Sequence, residues 1–175
     1  MQEPEVSLRI AMKFIQEHKT YSDITVSIDG AHIKTKGTSH FDIVSFMRIN
    51  GYEKYPSEEE QWQGIYQTSS DAPHIIISSK PGIGDVSILQ PNGTTLFIES
   101  KKFRSGSGGE YPAMREAIGQ LMTGCPDRPD VIPVVAVPYS TKSAELAQKW
   151  SFNKRIRMAG IRFMLVQEDG SIVFI

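Results

Sequence analysis

The 175-residue chain has one cysteine, Cys125. That excludes an internal disulfide framework and any zinc or iron–sulfur site built on four cysteines. It has no apolar run near the ~18–20 residues needed to cross a bilayer. Its first residues, MQEPEVSLRI, lack the basic-then-apolar order of a secretory signal. These absences lead us to expect a cytoplasmic protein with no membrane partner. Internal repeats, low-complexity tracts and linker composition are also missing, so one domain spanning 1–175 is expected. The four histidines, His18, His32, His40 and His74, have no metal-ligand spacing and read as structural or exposed residues.

A net charge of −1 lacks the basic excess usual in phosphate-binding proteins. Its distribution is uneven: residues 1–100 sum to −5 and residues 101–175 to +4. The basic half includes Lys102, Arg104, Lys149, Lys154, Arg155 and Arg157. The first two suit phosphates near a reacting bond, and the others suit a backbone farther away.

Hydrophobic spacing predicts a helix over Glu5 to His18, with Leu8, Ala11, Met12 and Ile15 on one face. It predicts strands over Asp23 to Ile28 and, beyond an Asp29-Gly30 turn, Ala31 to Lys36, with a third over Phe41 to Ile49. A short helix is expected around Glu58 to Tyr66 and a strand over His74 to Ser78. Helices are expected over Pro112 to Thr123 and Ser143 to Ala159, the second capped by Ser140 or Thr141 and ended by Gly160. The apolar strand Val131 to Val137 lies between them, where Pro133 implies a sheet edge or a nearby strand start. A hairpin, Ile161 to Val166 and Ser171 to Ile175, closes the chain. Ser105 to Gly109 lacks the Walker lysine pattern and reads as a loop beside a substrate groove. Trp62 and Trp150 read as core or interface anchors. The sum is a mixed α/β domain.

The stretch that carries chemistry is Asp85 to Lys101. Residues two apart on a strand share a face, so Glu99 and Lys101 point one way, and Leu96, Ile98 and Ser100 the other. Charges on an apolar strand are costly when buried without partners. Whether Asp85 joins them depends on register. A two-residue Asn92-Gly93 turn would pair Asp85 with Ser100, on the wrong face. A three-residue Pro91-Asn92-Gly93 loop pairs Asp85 with Glu99 and Ser87 with Phe97. Turn chemistry favours the second, with proline and asparagine in a type I turn and glycine at the left-handed bulge position. The same register sets Val86 and Ile88 against Ile98 and Leu96. Adjacent carboxylates repel unless a cation or a proton intervenes, and Mg²⁺, with Mn²⁺ as substitute, resolves the conflict. The carbonyl of Ser100 could complete the metal shell, and Lys101 could hold an attacking water or a phosphate oxygen.

This pattern resembles the PD-(D/E)xK nuclease superfamily, whose restriction-endonuclease-like fold is a mixed β-sheet flanked by helices with an αβββαβ core. In that family an aspartate begins one strand and a hydrophobic strand then carries Glu-x-Lys. The order of elements from 74 to 137 fits the core, with an inserted hairpin region before it and a C-terminal helix and hairpin after it. Gly84 stands where proline usually precedes the aspartate.

The resemblance implies Asp85, Glu99 and Lys101 as catalytic residues, with Asp85, Glu99 and Ser100 at the metal. It also implies a metal-linked glutamate on the first helix, for which Glu5 is the best match and Glu17 and Glu58 to Glu60 are competitors. Gln120 fits a glutamine that several branches add on the following helix, although Gly124 replaces the tyrosine some of them carry. The implied function is a Mg²⁺-dependent endonuclease, with DNA preferred over RNA. A single site would need a homodimer or successive nicks to cut both strands. The alternatives are an RNA endonuclease, a non-cleaving nucleic-acid-binding or assembly subunit of the same fold, and a protein in which Glu99 and Lys101 merely pair.

Overall fold

The computed structural model describes residues 1–35, 38–55, 62–69, 71–80, 84–103 and 108–175. In chain order the elements are α1 (Glu3–Gln16), β1 (Ile24–Ser27), β2 (Lys34–Thr35), β3 (Thr38–Ser39), α2 (Ile43–Ile49), β4 (Glu53–Lys54), β5 (Gly64–Gln67) and β6 (Ile75–Ser78). There follow β7 (Val86–Leu89), β8 (Thr95–Ser100), α3 (Glu110–Gly124), β9 (Val131–Pro138), α4 (Thr141–Ser151), α5 (Lys154–Met158), β10 (Arg162–Val166) and β11 (Ile172–Phe174). Nine of these strands form one mixed sheet in the order β11-β10-β9-β8-β7-β1-β6-β5-β4.

Alternation along the strands divides the core between two faces. Leu96 and Ile98 of β8 join Val86 and Ile88 of β7, Val134 and Ala136 of β9, and α1 through Leu8, Ala11 and Ile15. Phe97 of β8 belongs to the opposite cluster, with Met114, Ala117 and Leu121 of α3 and Leu146 and Ala147 of α4. The sheet is therefore sandwiched between helices, and β8 is buried on both faces. Among the described residues no helix is long and apolar enough to cross a membrane.

The β7–β8 hairpin adopts the register that the turn chemistry favoured. Val86 pairs with Ile98, Ser87 with Phe97 and Leu89 with Thr95. The loop is closed by Gln90 N–H to Thr94 O at 2.8 Å and Gly93 N–H to Gln90 O at 2.9 Å. Gly93 sits at φ +86°. Asp85, just before β7, donates its N–H to Ile98 O at 2.9 Å.

Several expected elements differ. Phe41 to Ile49 is not a strand: apart from its first two residues it forms α2. Asp42 caps that helix by accepting the Ser45 N–H at 3.0 Å. Ile43 and Met47 are buried at four-residue spacing, whereas Ile49 is 84% exposed, so the apparent two-residue alternation was coincidental. The Asp29-Gly30 signal starts a 3-10 turn, Gly30–His32, because Asp29 accepts the Ala31 N–H at 2.9 Å. Among the described residues of the span expected after it, the only strand is the two-residue β2. At the end of the expected Glu58 to Tyr66 helix the chain forms β5, while residues 56–61 lie outside those described.

The Ser143 to Ala159 helix is broken into α4 and α5 by Asn153, which is extended and accepts the Arg155 N–H. Ser140 does cap α4, and Gly160 follows at φ +70°. Pro133 is in an interior strand, but the β10 ladder begins only at Val134, so its missing N–H disrupts no pairing there.

The strand beside β7 also differs. His74 to Ser78 is not its neighbour: β1 lies between, parallel to β6 and antiparallel to β7. Parallel neighbours need a long crossover, and residues 28–74 supply it.

Two glycines carry the hairpin. A Cβ at Gly93 would meet nothing within 4 Å, whereas at Gly84, at φ +70°, it would lie 3.0 Å from Ile98 O. Gly93→Ala should therefore lose about 1–2 kcal/mol of stability from backbone strain alone. Gly84→Ala should lose more, by about 1–3 kcal/mol of overpacking. Urea unfolding of the two variants checks the ordering, and equal losses would contradict it.

Candidate active site

Glu99 occupies the penultimate position of β8, where each neighbour is fully buried on the opposite face. The β7–β8 ladder ends at Val86–Ile98, and the Asp85 N–H bonds Ile98 O, so Asp85 lies beside the end of β8. Asp85 Oδ2 accepts the Ser100 N–H at 2.7 Å, which ties the carboxylate to the strand carrying its neighbour. The Asp85 and Glu99 side chains are close enough that each shifts the other's pKa. Lys101 follows β8, donates its N–H to Ala136 O, and is only 7% exposed.

Gly84 explains the departure from a Pro-Asp pattern. The chain reaches Asp85 through a left-handed residue, and proline, fixed near φ −65°, could not adopt that conformation.

Burial pushes the Asp85 carboxyl up to about 7, and the neighbouring Glu99 adds to the shift. Lys101 and the Ser100 N–H oppose it. Burial also raises Glu99, reinforced by Glu3 and opposed by Lys101 and Asp85. Burial works against the Lys101 ammonium, but Asp85, Glu3 and Glu99 outweigh it and hold its pKa above the ordinary lysine value. Lys101 is therefore a fixed cation.

The first-helix acid at this site is Glu3. Its Oε1 lies 3.3 Å from Lys101 Nζ and 3.8 Å from His32 Nε2. Glu5, the expected helix ligand, is instead held by Arg9 at 2.9 Å and accepts the Gln2 N–H in a capping box. Glu3 and His32 were not identified as site residues from sequence. The Gln2-x-x-Glu5 spacing is the signal that could have assigned Glu5 to the cap. Glu3, Pro4, Ser27, Asp29, His32 and Asp85 border a small cleft of about 40 Å³.

Other expected residues lie elsewhere. Gln120 is exposed on α3, ten residues past Glu110 and so about 15 Å along the helix. Glu17 pairs with Lys13 and Lys19 at the end of α1. His18 and His40 are exposed, and His74 contacts Asp23 at 3.3 Å. Lys102 donates to Gln2 Oε1 at 3.0 Å. Arg104, Glu58 to Glu60 and most of the Ser105 to Gly109 loop lie outside the described residues.

Among the described residues no three His, Cys, Asp or Glu side chains are close enough to form a metal-binding group by themselves. The donor set is thus two carboxylates, Asp85 and Glu99, with the Ser100 carbonyl nearby in sequence. Mg²⁺ fits such a set because it retains several waters and commonly takes only one or two protein carboxylates. A divalent cation would also favour the charged forms of both carboxyls, which burial disfavours. Comparison with protein-family models, curated proteins and solved structures gave no match.

Asp85 has its ordinary pKa of 3.8 when unfolded and one of about 7 when folded, so folding takes up a proton between those values. The stabilisation is complete below the unfolded pKa and is lost as pH rises through the folded one. Asp85→Asn keeps an acceptor for the Ser100 N–H. In metal-free buffer it should gain Tm relative to the parent protein as pH rises from about 4 to 8. A constant Tm difference across that range would show that Asp85 is not held protonated.

Proposed function

We propose that this chain is a Mg²⁺-dependent nuclease that hydrolyses phosphodiester bonds through Asp85, Glu99 and Lys101. The observation that carries this reading is the placing of two half-buried carboxylates close together with a buried lysine just past the end of the same strand. The topology around them supports it. The series α1, β1, β7, β8, α3, β9 has an antiparallel three-strand meander followed by a helical crossover to a parallel strand. This series is similar to the αβββαβ order of the restriction-endonuclease-like fold, with residues 28–85 between β1 and β7. The order and the Asp85, Glu99, Lys101 pattern support the resemblance to the PD-(D/E)xK superfamily.

In this reading Asp85 and Glu99 hold the cation, with the Ser100 carbonyl as a further oxygen ligand. When bound, Mg²⁺ supplies Lewis-acid polarisation of the phosphate and a lower pKa for bound water. Asp85, tethered by the Ser100 N–H, keeps its carboxylate fixed as charge develops. Lys101 remains protonated beside three acids, so it acts as a donor to a phosphate oxygen or to the attacking water. Glu3 restrains the lysine side chain and is a positioning residue. Glu5 and Gln120 have no part in this arrangement. DNA is the preferred substrate over RNA, a homodimer or successive nicks would sever a duplex, and the cytoplasm is the proposed location.

The test is cleavage of plasmid, single-stranded DNA and RNA with Mg²⁺ or Mn²⁺. Glu99→Ala and Lys101→Ala should each lose about 100-fold or more in rate, the scale for removing a fixed charge stabiliser. Equal rates in the parent and both variants would sink the assignment. Glu3→Gln should lose less, about tenfold, because it acts through Lys101; a loss as large as that of Glu99→Ala would instead make it a ligand.

A further inference from the structure

Between Glu145 and Glu168 the chain contains no acid and five cations. Lys149, Lys154, Arg155 and Arg157 lie near the end of α4 and along α5, all exposed, and no ion pair engages them among the described residues. Basic residues on a folded surface usually sit among acids that neutralise them, and these do not. Two aromatic rings accompany them. Phe152, in the break between the helices, is 71% exposed, and Tyr111, at the start of α3, is 48% exposed. Burying such rings is favourable, so leaving them out is a cost the fold does not otherwise recover.

The Tyr111 ring meets Trp150 edge-on at 5.5 Å, and the Arg115 guanidinium lies 5.4 Å from its centre. Trp150 in turn packs against Phe163 of β10 at 6.4 Å. The exposed ring is thus mounted on a rigid base. Through Tyr111 the surface joins the start of α3 to the end of α4.

We propose that this surface is a track for single-stranded nucleic acid, with the four cations following phosphates and Tyr111 and Phe152 stacking on unpaired bases. Charge alone would suit a duplex equally well. The aromatic rings decide between them, because a duplex hides the faces of its bases and a single strand presents them. The track rests on the nuclease reading only for the chemistry it serves, and its own test needs no cleavage.

Fluorescence anisotropy of a labelled thymidine oligonucleotide, and of a duplex of equal length, would be measured in EDTA over a series of salt concentrations. Replacing Lys149, Lys154, Arg155 and Arg157 together by Gln should make the slope of log K against log salt shallower by about 3, from ~0.7 per phosphate contact on a single strand. Phe152→Ala should weaken single-strand binding at least about fivefold and leave duplex binding unchanged. All five positions are exposed, and an unchanged Tm confirms that the variants fold.

An unaltered salt slope would overturn the track. So would equal weakening of single strand and duplex by Phe152→Ala. Tight binding to vesicles of anionic phospholipid that the fourfold variant abolishes, without oligonucleotide binding, would assign the surface to a membrane instead. Salt-dependent binding with the expected variant effects, in a protein that cleaves nothing with Mg²⁺, would overturn the nuclease reading and leave the track standing.

Discussion

Two carboxylates held side by side in a buried register are the constraint around which this molecule is arranged. Burial disfavours the charged forms of both Asp85 and Glu99, and the neighbouring acids Glu99 and Glu3 add to this at Asp85 and Glu3 adds to it at Glu99. The hairpin holds them there nonetheless. Its pairing is set by a three-residue loop and reinforced by the apolar matches Val86–Ile98 and Ile88–Leu96. A one-residue slip would move the entire apolar set to the wrong face, which makes the register expensive to change. The packing that excludes water from the core is thus the same packing that fixes the acids.

The sandwich around β8 adds stiffness. Leu96 and Ile98 are held by the α1 side of the sheet, and Phe97 by α3 and α4. A strand clamped on both faces has little freedom to tilt, so the residues at its end inherit a defined direction. Gly84 completes the arrangement: its left-handed turn brings the chain close to Ile98 O, where a side chain would not fit, and delivers Asp85 into line. Positional precision at the site is therefore a consequence of core packing, in keeping with sites built on strands rather than loops.

What could be read from sequence followed the range of the forces involved. The hairpin was legible because its turn residues and its apolar alternation are local and agree with each other. Helices α1 and α3 were legible for the same reason. The Phe41 to Ile49 segment was misread because its two-residue alternation competed with a single capping residue, Asp42, and the cap prevailed. Placing β6 next to β7 failed for a different reason. Sequence neighbours often pair, but here a strand from 50 residues earlier was inserted between them, and no local signal records that. Glu3 was missed because it lies two residues before the expected start of α1, while Glu5 is drawn off by the capping box and Arg9. A helix boundary is weakly encoded, yet a shift of two residues turns a side chain by more than half a turn around the helix.

The alternative that Glu99 and Lys101 form an ordinary ion pair can be weighed on the arrangement of charges. An ordinary pair balances one acid with one base. Here Lys101 Nζ is hydrogen-bonded to Glu3, on another element, and still lies in the field of Asp85 and Glu99. Three acids thus face one lysine, with His32 adding a partial counter-charge only when protonated. Burial disfavours the charged forms of both Asp85 and Glu99, so stability alone gives no reason to gather them. The fold nevertheless anchors Asp85 with a backbone hydrogen bond that favours the charged form. The negative charge left over on that strand end is what a divalent cation would neutralise, since the lysine beside it is already paired with Glu3. A surplus of fixed acid next to a fixed cation is the arrangement expected where a metal and a phosphate meet.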